Sequence, residues 1–441
     1  MSPRYLALLE KVKLPPLALV HQTFPAQECP SPAAAVHAAL AAAPCVDAAV
    51  HPGMKIAVTA GSRGLASLPA LLAAIVAELR ARGAEPFVVP AMGSHGGATA
   101  EGQRALLAHL GVTEDSVGCP IRSSMSTVNL GRLPSGAEVH IDRLAYEADG
   151  IVVFNRVKPH TEFRGLNESG LIKMISIGLG KQSGADNCHA FGSSYLGQAI
   201  IDMARVKLAK SKILFGVASL ENAYDRLARV EVVPAEGMIE RERPLLAEAM
   251  RNMPRLPLGP LDAPQASGPL DVLVVGAIGK EFSGSGMDPN ITGRCATPAI
   301  SGGPDVSRIA VLDISAISEG NALGVGSADV VTARLAHKFD PEPTYINGLT
   351  LGTLSMAGMP MVMPSDDAAI RAAVKSCASH TPDAITIISI PNSLHLEYIR
   401  VSEALLPEIR KRPGIEVVSE PEPMRFDAEG NLLDLWPTRS H

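Results

Sequence analysis

Residues 54–97 read MKIAVTAGSRGLASLPALLAAIVAELRARGAEPFVVPAMGSHGG. The opening MKIAVTA (54–60) is a short apolar run, suited to a strand covered on both faces. The turn Gly61-Ser62-Arg63-Gly64 follows. LASLPALLAAIVAELRARG (65–83) then repeats its apolar residues at helical spacing, which predicts a helix stopping at Gly83. EPFVVPAMGS (85–94) reads as a second strand ending at Ser94-His95-Gly96-Gly97. TAEGQRALLAHLG (99–111) reads as a second helix with Thr99 as its N-cap. Strand–turn–helix, twice over, is the grammar of a parallel sheet. In such sheets ligands sit beyond the carboxyl ends of the strands, where Arg63 and His95 fall.

Working outward, DGIVVF (149–154) predicts another strand, running into Asn155-Arg156-Val157-Lys158-Pro159-His160. A polar, glycine-marked stretch leads on to Lys173. SSYLGQAIIDMARVKLAKS (193–211) predicts a helix and KILFGVASL (212–220) a strand. The proline-rich stretch 254–269 reads as a linker or domain boundary. After it DVLVVGAIG (271–279), RIAVLDIS (308–315), TYINGL (344–349) and AITIISIP (384–391) are strand candidates of a second α/β pattern. The expected architecture is α/β, with two domains of mostly parallel sheet, 1–265 and 266–441, and an active-site cleft between them.

Composition narrows the class. The 441 residues are 46% hydrophobic and only 4% aromatic, as suits Val/Ile strands packed by Ala/Leu helices. A net charge of −6 without a basic run argues against nucleic acid as a partner. The six cysteines are scattered singly with no CxxC pair, which reads as reduced thiols and a cytoplasmic location. No secretory signal and no apolar stretch long enough to span a bilayer is evident.

The polar residues placed just past strands are the candidates for chemistry: Arg63, His95, His160, Lys173 and His189. Each alone is most simply a cap or a solvated surface group. GSGMDPNITG in the second half is neither a P-loop nor a dinucleotide fingerprint, and HExxH and GxSxG are missing. The ordered set is more telling: SRG after one strand, SHGG after the next, then KPH, SGLIK and CH.

That set resembles the nickel-pincer lactate-racemase family, well over about residues 50–200 and more loosely beyond. The resemblance places Ser62-Arg63 at the family's pair after the first strand. It makes His95 and His160 the two catalytic histidines. Ser169-Gly170-Leu171-Ile172-Lys173 matches the segment whose lysine bears the cofactor, and His189, sixteen residues after Lys173, matches the nickel ligand. The implied cofactor is a nickel-bound pyridinium dithio-acid mononucleotide joined to Lys173 through a thioamide. Separate maturation enzymes supply it and so count as partners. Leu171-Ile172 replace a glycine and a basic residue usual in lactate racemases, and the family's substrate contacts in the second domain have no clear match. Lys280 is the best candidate for the lysine there. These departures imply a divergent branch.

The implied reaction inverts C2 of a small 2-hydroxy acid. Removing that hydrogen as a proton would leave a carbanion beside a carboxylate, whereas removing it as hydride leaves a planar keto acid. The hydride acceptor must come from a cofactor. Histidines can hold and return the hydroxyl proton. Arg63 or Lys280 could pair with the substrate carboxylate, and the Gly61–Gly64 turn or Gly284-Ser285-Gly286 could cradle the cofactor phosphate. Lys158, Arg164 and Lys181 are further candidate cations, each more simply a surface charge. Cys188 next to His189 would point to the opposite face if the two lay on a strand. Two alternatives remain: a sugar-acid epimerase or related redox isomerase on the same cofactor, and a non-catalytic binder of an anionic metabolite.

Overall fold

The computed structural model describes every residue except 1–3, 191, 260–267, 296, 298, 378–383, 434 and 438–441. Half of the expected linker, residues 260–267, therefore lies outside the described residues. In chain order the first strands are β1 (Leu17–Gln22), β2 (Lys55–Ala60), β3 (Glu85–Pro90), β4 (Thr127–Arg132), β5 (Glu138–Asp142), β6 (Gly150–Arg156), β7 (Ile213–Glu221) and β8 (Leu227–Pro234). They are followed by β9 (Pro269–Val275), β10 (Asp305–Val311), β11 (Val330–Thr332), β12 (Met361–Met363), β13 (Ile387–Ile390), β14 (Tyr398–Ser402) and β15 (Ile415–Val417).

The chain divides into two compact units, one of residues 25–253 and one of residues 1–24 with 254–441. In the first, a five-stranded sheet runs in the order β3-β2-β6-β7-β8. Pairing is parallel from β3 to β7, and β8 adds an antiparallel edge. β2 and β6 are buried from their second residue to mid-strand or beyond, as expected for strands covered on both faces. The helix Leu68–Ala81 buries Leu68, Leu71, Leu72, Ile75, Val76 and Leu79 in the core that also holds Ile56, Val58, Val152 and Phe154. Gly83, at φ +80, turns the chain just past its end. β2 leads outward to β3, whereas β6 leads the other way to β7, so the order of winding reverses between β2 and β6. Ligand crevices of open α/β sheets lie at such a reversal.

The second unit has an eight-stranded sheet in the order β12-β11-β10-β9-β13-β14-β1-β15. β12 to β13 are parallel, and β14, β1 and β15 pair antiparallel. The structure differs from the sequence expectation in two respects. Residues 1–24 leave the following segment, because β1 forms its ladder with β14, Leu17 opposite Ser402. TYINGL is not a strand: it lies inside the helix Pro341–Leu351. Asp340 caps that helix on Glu342 N, Pro341 opens it, and Gly352 closes it at φ +68, so end signals override the β preference of Tyr345 and Ile346.

Candidate active site

The carboxyl ends of β2 and β6 carry the polar residues that matter. Past β2, a Cβ at Gly61 would lie 3.2 Å from Met174 Cε and 3.7 Å from Asn155 Oδ1 of β6. Neither Gly61 nor Gly64 has a left-handed backbone. The turn is tied down by Glu221 at the end of β7, which accepts from Ala66 N at 2.6 Å and pairs with Arg156 at the end of β6. Ser62 is half-buried and Arg63 exposed. Surrounding protein nonetheless lowers the Arg63 guanidinium, partly offset by Glu162.

Past β6 the chain loops through His160 and returns, Lys158 N donating to Ser169 O at 2.9 Å. Buried Glu168 organises this loop: it accepts from His160 N at 2.6 Å, Gly165 N at 3.3 Å and Arg164 Nη1 at 3.3 Å. Arg164 also donates to His160 O. The His160 ring packs 4.3 Å from buried Phe163. Its Nδ1 accepts from Glu162 N at 3.0 Å, and its Nε2 lies 2.5 Å from Lys173 Nζ.

Lys173 ends a short helical turn, Leu171–Lys173, that runs into a π-helical turn, Met174–Gly178. π-turns recur at functional sites because they widen the helix and free carbonyls. The helix Lys181–His189 follows and brings His189 close enough to feel the charge of Lys173 and to act on His160. Burial is the main influence on all three groups. It lowers His160 well below its ordinary value, with Lys173, Lys158, His189 and Arg164 adding repulsion. It lowers the Lys173 amine, with Arg63 adding to the effect and Glu162 opposing it. It lowers His189 to about 4, helped by Lys173. At neutral pH both imidazoles are therefore uncharged and keep lone pairs.

The sequence candidates thus separate into groups. Arg63, His160, Lys173 and His189 meet electrostatically in one place. Ser169 and Gly170 serve as backbone: Ser169 O accepts from Lys158, and Gly170 O accepts from Asn155 Nδ2 at 2.8 Å. His95 is exposed on the turn that leaves β3, its carbonyl held by buried Gln103. Lys280 belongs to the other unit, where its Nζ donates to Gly284 O at 2.8 Å.

Two expectations need correction. Lys181 is no surface charge: it is fully buried, 2.9 Å from Asp142 and bonded to Pro90 O and Gln103 Oε1. Cys188 is on a helix, so strand alternation does not apply, and burial pushes its thiol up to about 12. Sequence reasoning missed Glu162, Glu168, Lys207 and Glu242. An isolated charged residue in a loop or amphipathic helix gives no signal beyond that of a solvated one.

The cluster fits an anionic, lysine-linked, metal-bearing group in its chemistry. Arg63, Lys158 and Arg164 give local positive charge, Lys173 is an amine of lowered basicity, and His189 is a neutral imidazole. Among the described residues no three His, Cys, Asp or Glu side chains converge on a metal position, so most donors to any metal here would have to come from the group itself.

Fold and site together define an α/β protein with a lysine–imidazole centre at the reversal point of a parallel sheet. The sequence profile of the lactate racemase N-terminal domain matches residues 10–194. Over those residues the chain is similar to that family. A search of solved structures finds the lactate racemase apoprotein from Thermoanaerobacterium thermosaccharolyticum. It is 14% identical over 78% of this chain and 83% of that one, with a TM-score of 0.48. No curated protein matches the chain. No described helix is long and apolar enough to cross a membrane.

Proposed function

We propose that the protein is a nickel-pincer-nucleotide-dependent racemase or epimerase of a small 2-hydroxy acid, working in the cytoplasm. The observation that carries this reading is the contact between Lys173 and His160, with the His189 imidazole close enough to be held neutral by burial and by Lys173. Lys173 would hold the cofactor through its amine, and His189 would give the metal its one protein donor. When bound, the group supplies a hydride acceptor.

The other roles fall to this chain's own residues. Arg63 offers a planar fork to a carboxylate or phosphate. His160 is the proposed acid–base group for the substrate's hydroxyl proton: the linkage that takes up Lys173 removes the partner of Nε2, and the ring must then change tautomer to present a lone pair there. Glu168 and Phe163 keep its ring in place. His95 is the proposed base for the opposite enantiomer, and Lys280 a proposed carboxylate contact. The maturation enzymes that make the cofactor are proposed partners.

The test is production in cells that also make the cofactor, followed by mass measurement of the Lys173 peptide and turnover of a panel of chiral 2-hydroxy acids. A covalent adduct on Lys173 with interconversion of enantiomers or epimers is the expected result. An unmodified Lys173, in cells where a known family member is loaded, would overturn the tethered reading.

A further inference from the structure

Two ionisable side chains, from two different helices, reach the backbone on either side of Lys173. Both are fully buried, and among the described residues neither has an ion-pair partner. Glu242, on the helix Met238–Asn252, accepts from Ile172 N at 3.0 Å, from Leu171 N, and from Asn167 Nδ2 at 3.0 Å. Lys207, on the helix Ser193–Lys210, donates to Ile175 O at 2.9 Å and Ser176 O at 2.7 Å.

Each side chain answers a break in the helical ladder. The turn Leu171–Lys173 opens at Gly170, which has no side chain to cap the free N–H groups. Glu242 supplies the missing acceptor from 70 residues away. Gly170 must be glycine for the same reason: a Cβ there would come within 2.5 Å of Glu242 Oε2. On the other side of Lys173, the π-turn leaves carbonyls without their usual partners, and Lys207 fills them. Ser176 Oγ closes the turn by donating to Ile172 O at 2.9 Å.

Burying a carboxyl and an amine apart from each other is costly, and apolar residues could fill the same volume. Their placement on the backbone immediately before and after one lysine gives the cost a local purpose. We propose that Glu242 and Lys207 are positioning residues that clamp the segment 171–176 so that Lys173 Nζ is held against His160 Nε2. The proposal rests on Lys173 being the attachment point.

The test uses the full chain without cofactor. Trace labelling with acetic anhydride across a pH series, read peptide by peptide by mass, gives the reactivity profile of each lysine amine. Exposed Lys55 is the internal reference. In the wild-type protein the Lys173 profile should rise at lower pH than that of Lys55. In Glu242→Gln and Lys207→Met, both with wild-type circular dichroism, it should move toward the Lys55 profile, each unit being about tenfold in the uncharged fraction of the amine below its midpoint. Lys55 itself should not change. A folded variant whose Lys173 profile overlays the wild type overturns the clamp. If one variant fails to fold, the other decides by the same criterion. If neither folds, the two residues are general core supports and the proposal is wrong. Failure of the cofactor reading looks different: Lys173 would stay unmodified in cofactor-making cells while the labelling profiles still shifted.

Discussion

Lys173 Nζ lies 2.5 Å from His160 Nε2, while the backbone N–H of Glu162 donates to His160 Nδ1 at 3.0 Å. A backbone amide can only donate, so Nδ1 carries no proton and the neutral ring carries it on Nε2. Lys173 must then accept that proton with a lone pair, as a free amine. The burial that lowers its basicity acts in the same direction. An amine that is to form a covalent bond has to be uncharged, and this pairing keeps it so.

The first prediction concerns the same ring. In the loaded protein, His160→Ala should lower turnover by about 10²–10⁴-fold, the usual worth of a positioned acid–base group. Both directions should suffer, as the equilibrium between enantiomers requires. The adduct on Lys173 should form less completely, because the ring no longer holds the amine uncharged, so rates are compared per loaded protein. Chiral chromatography from each pure enantiomer is the measurement, and unchanged rates would remove His160 from the proton path.

Glu242 sets a pH dependence of stability. Burial pushes its carboxyl up to about 7, against the hydrogen bonds from Asn167, Ile172 and Leu171. A raised folded value means the native state binds more protons than the unfolded chain between about 4.5 and 7. Its contribution is therefore fully present below about 4.5 and is lost as pH rises to about 7, on the order of 3 kcal/mol. Denaturant melts of wild type and Glu242→Gln across that window should diverge by this slope. Parallel curves would show that the carboxyl is not titrating there.

Gly170→Ala tests the tightness of the seat beneath Lys173. The new methyl would stand 2.5 Å from the Glu242 carboxyl, so one of them must move. A loss of about 1–3 kcal/mol is expected, as for overpacking elsewhere, together with less cofactor adduct on Lys173. A thermal melt equal to wild type would mean that the segment yields freely.

Lys181→Met should be among the most damaging single changes. It removes one partner of a fully buried pair, leaving the Asp142 carboxyl without its cation and Pro90 O and Gln103 Oε1 without their donor. Breaking such pairs costs about 3–5 kcal/mol. Lys181→Met with Asp142→Leu should recover part of that loss, because the orphaned charge is gone. Urea denaturation of the single and double variants makes the comparison.

Arg63→Lys separates a fork from a point charge. If Arg63 binds a carboxylate in two-point fashion, lysine should raise KM for the 2-hydroxy acid about tenfold or more with a smaller effect on kcat. Equal KM values would assign Arg63 to some other anion.

The parallel sheet of residues 25–253 is legible in the sequence, because its strands and helices are marked by local periodicity and by glycines at their ends. So is the order of Arg63, His160, Lys173 and His189 along the chain. TYINGL shows the limit of that reading: β-favouring residues lie inside a helix set by Asp340, Pro341 and Gly352.

What only the tertiary structure decided is non-local. β1 finds β14 nearly four hundred residues on, Leu17 opposite Ser402, and no pattern near residue 17 names that partner. Glu242, Lys207 and Glu168 look in sequence like ordinary charges on helices or loops. The folded chain removes their water and leaves them only backbone or a neighbouring side chain to bond. The sequence by itself marked Arg63, His160, Lys173 and His189 as candidates for chemistry. Burial and long-range hydrogen bonds decided that Lys173 is a free amine facing His160.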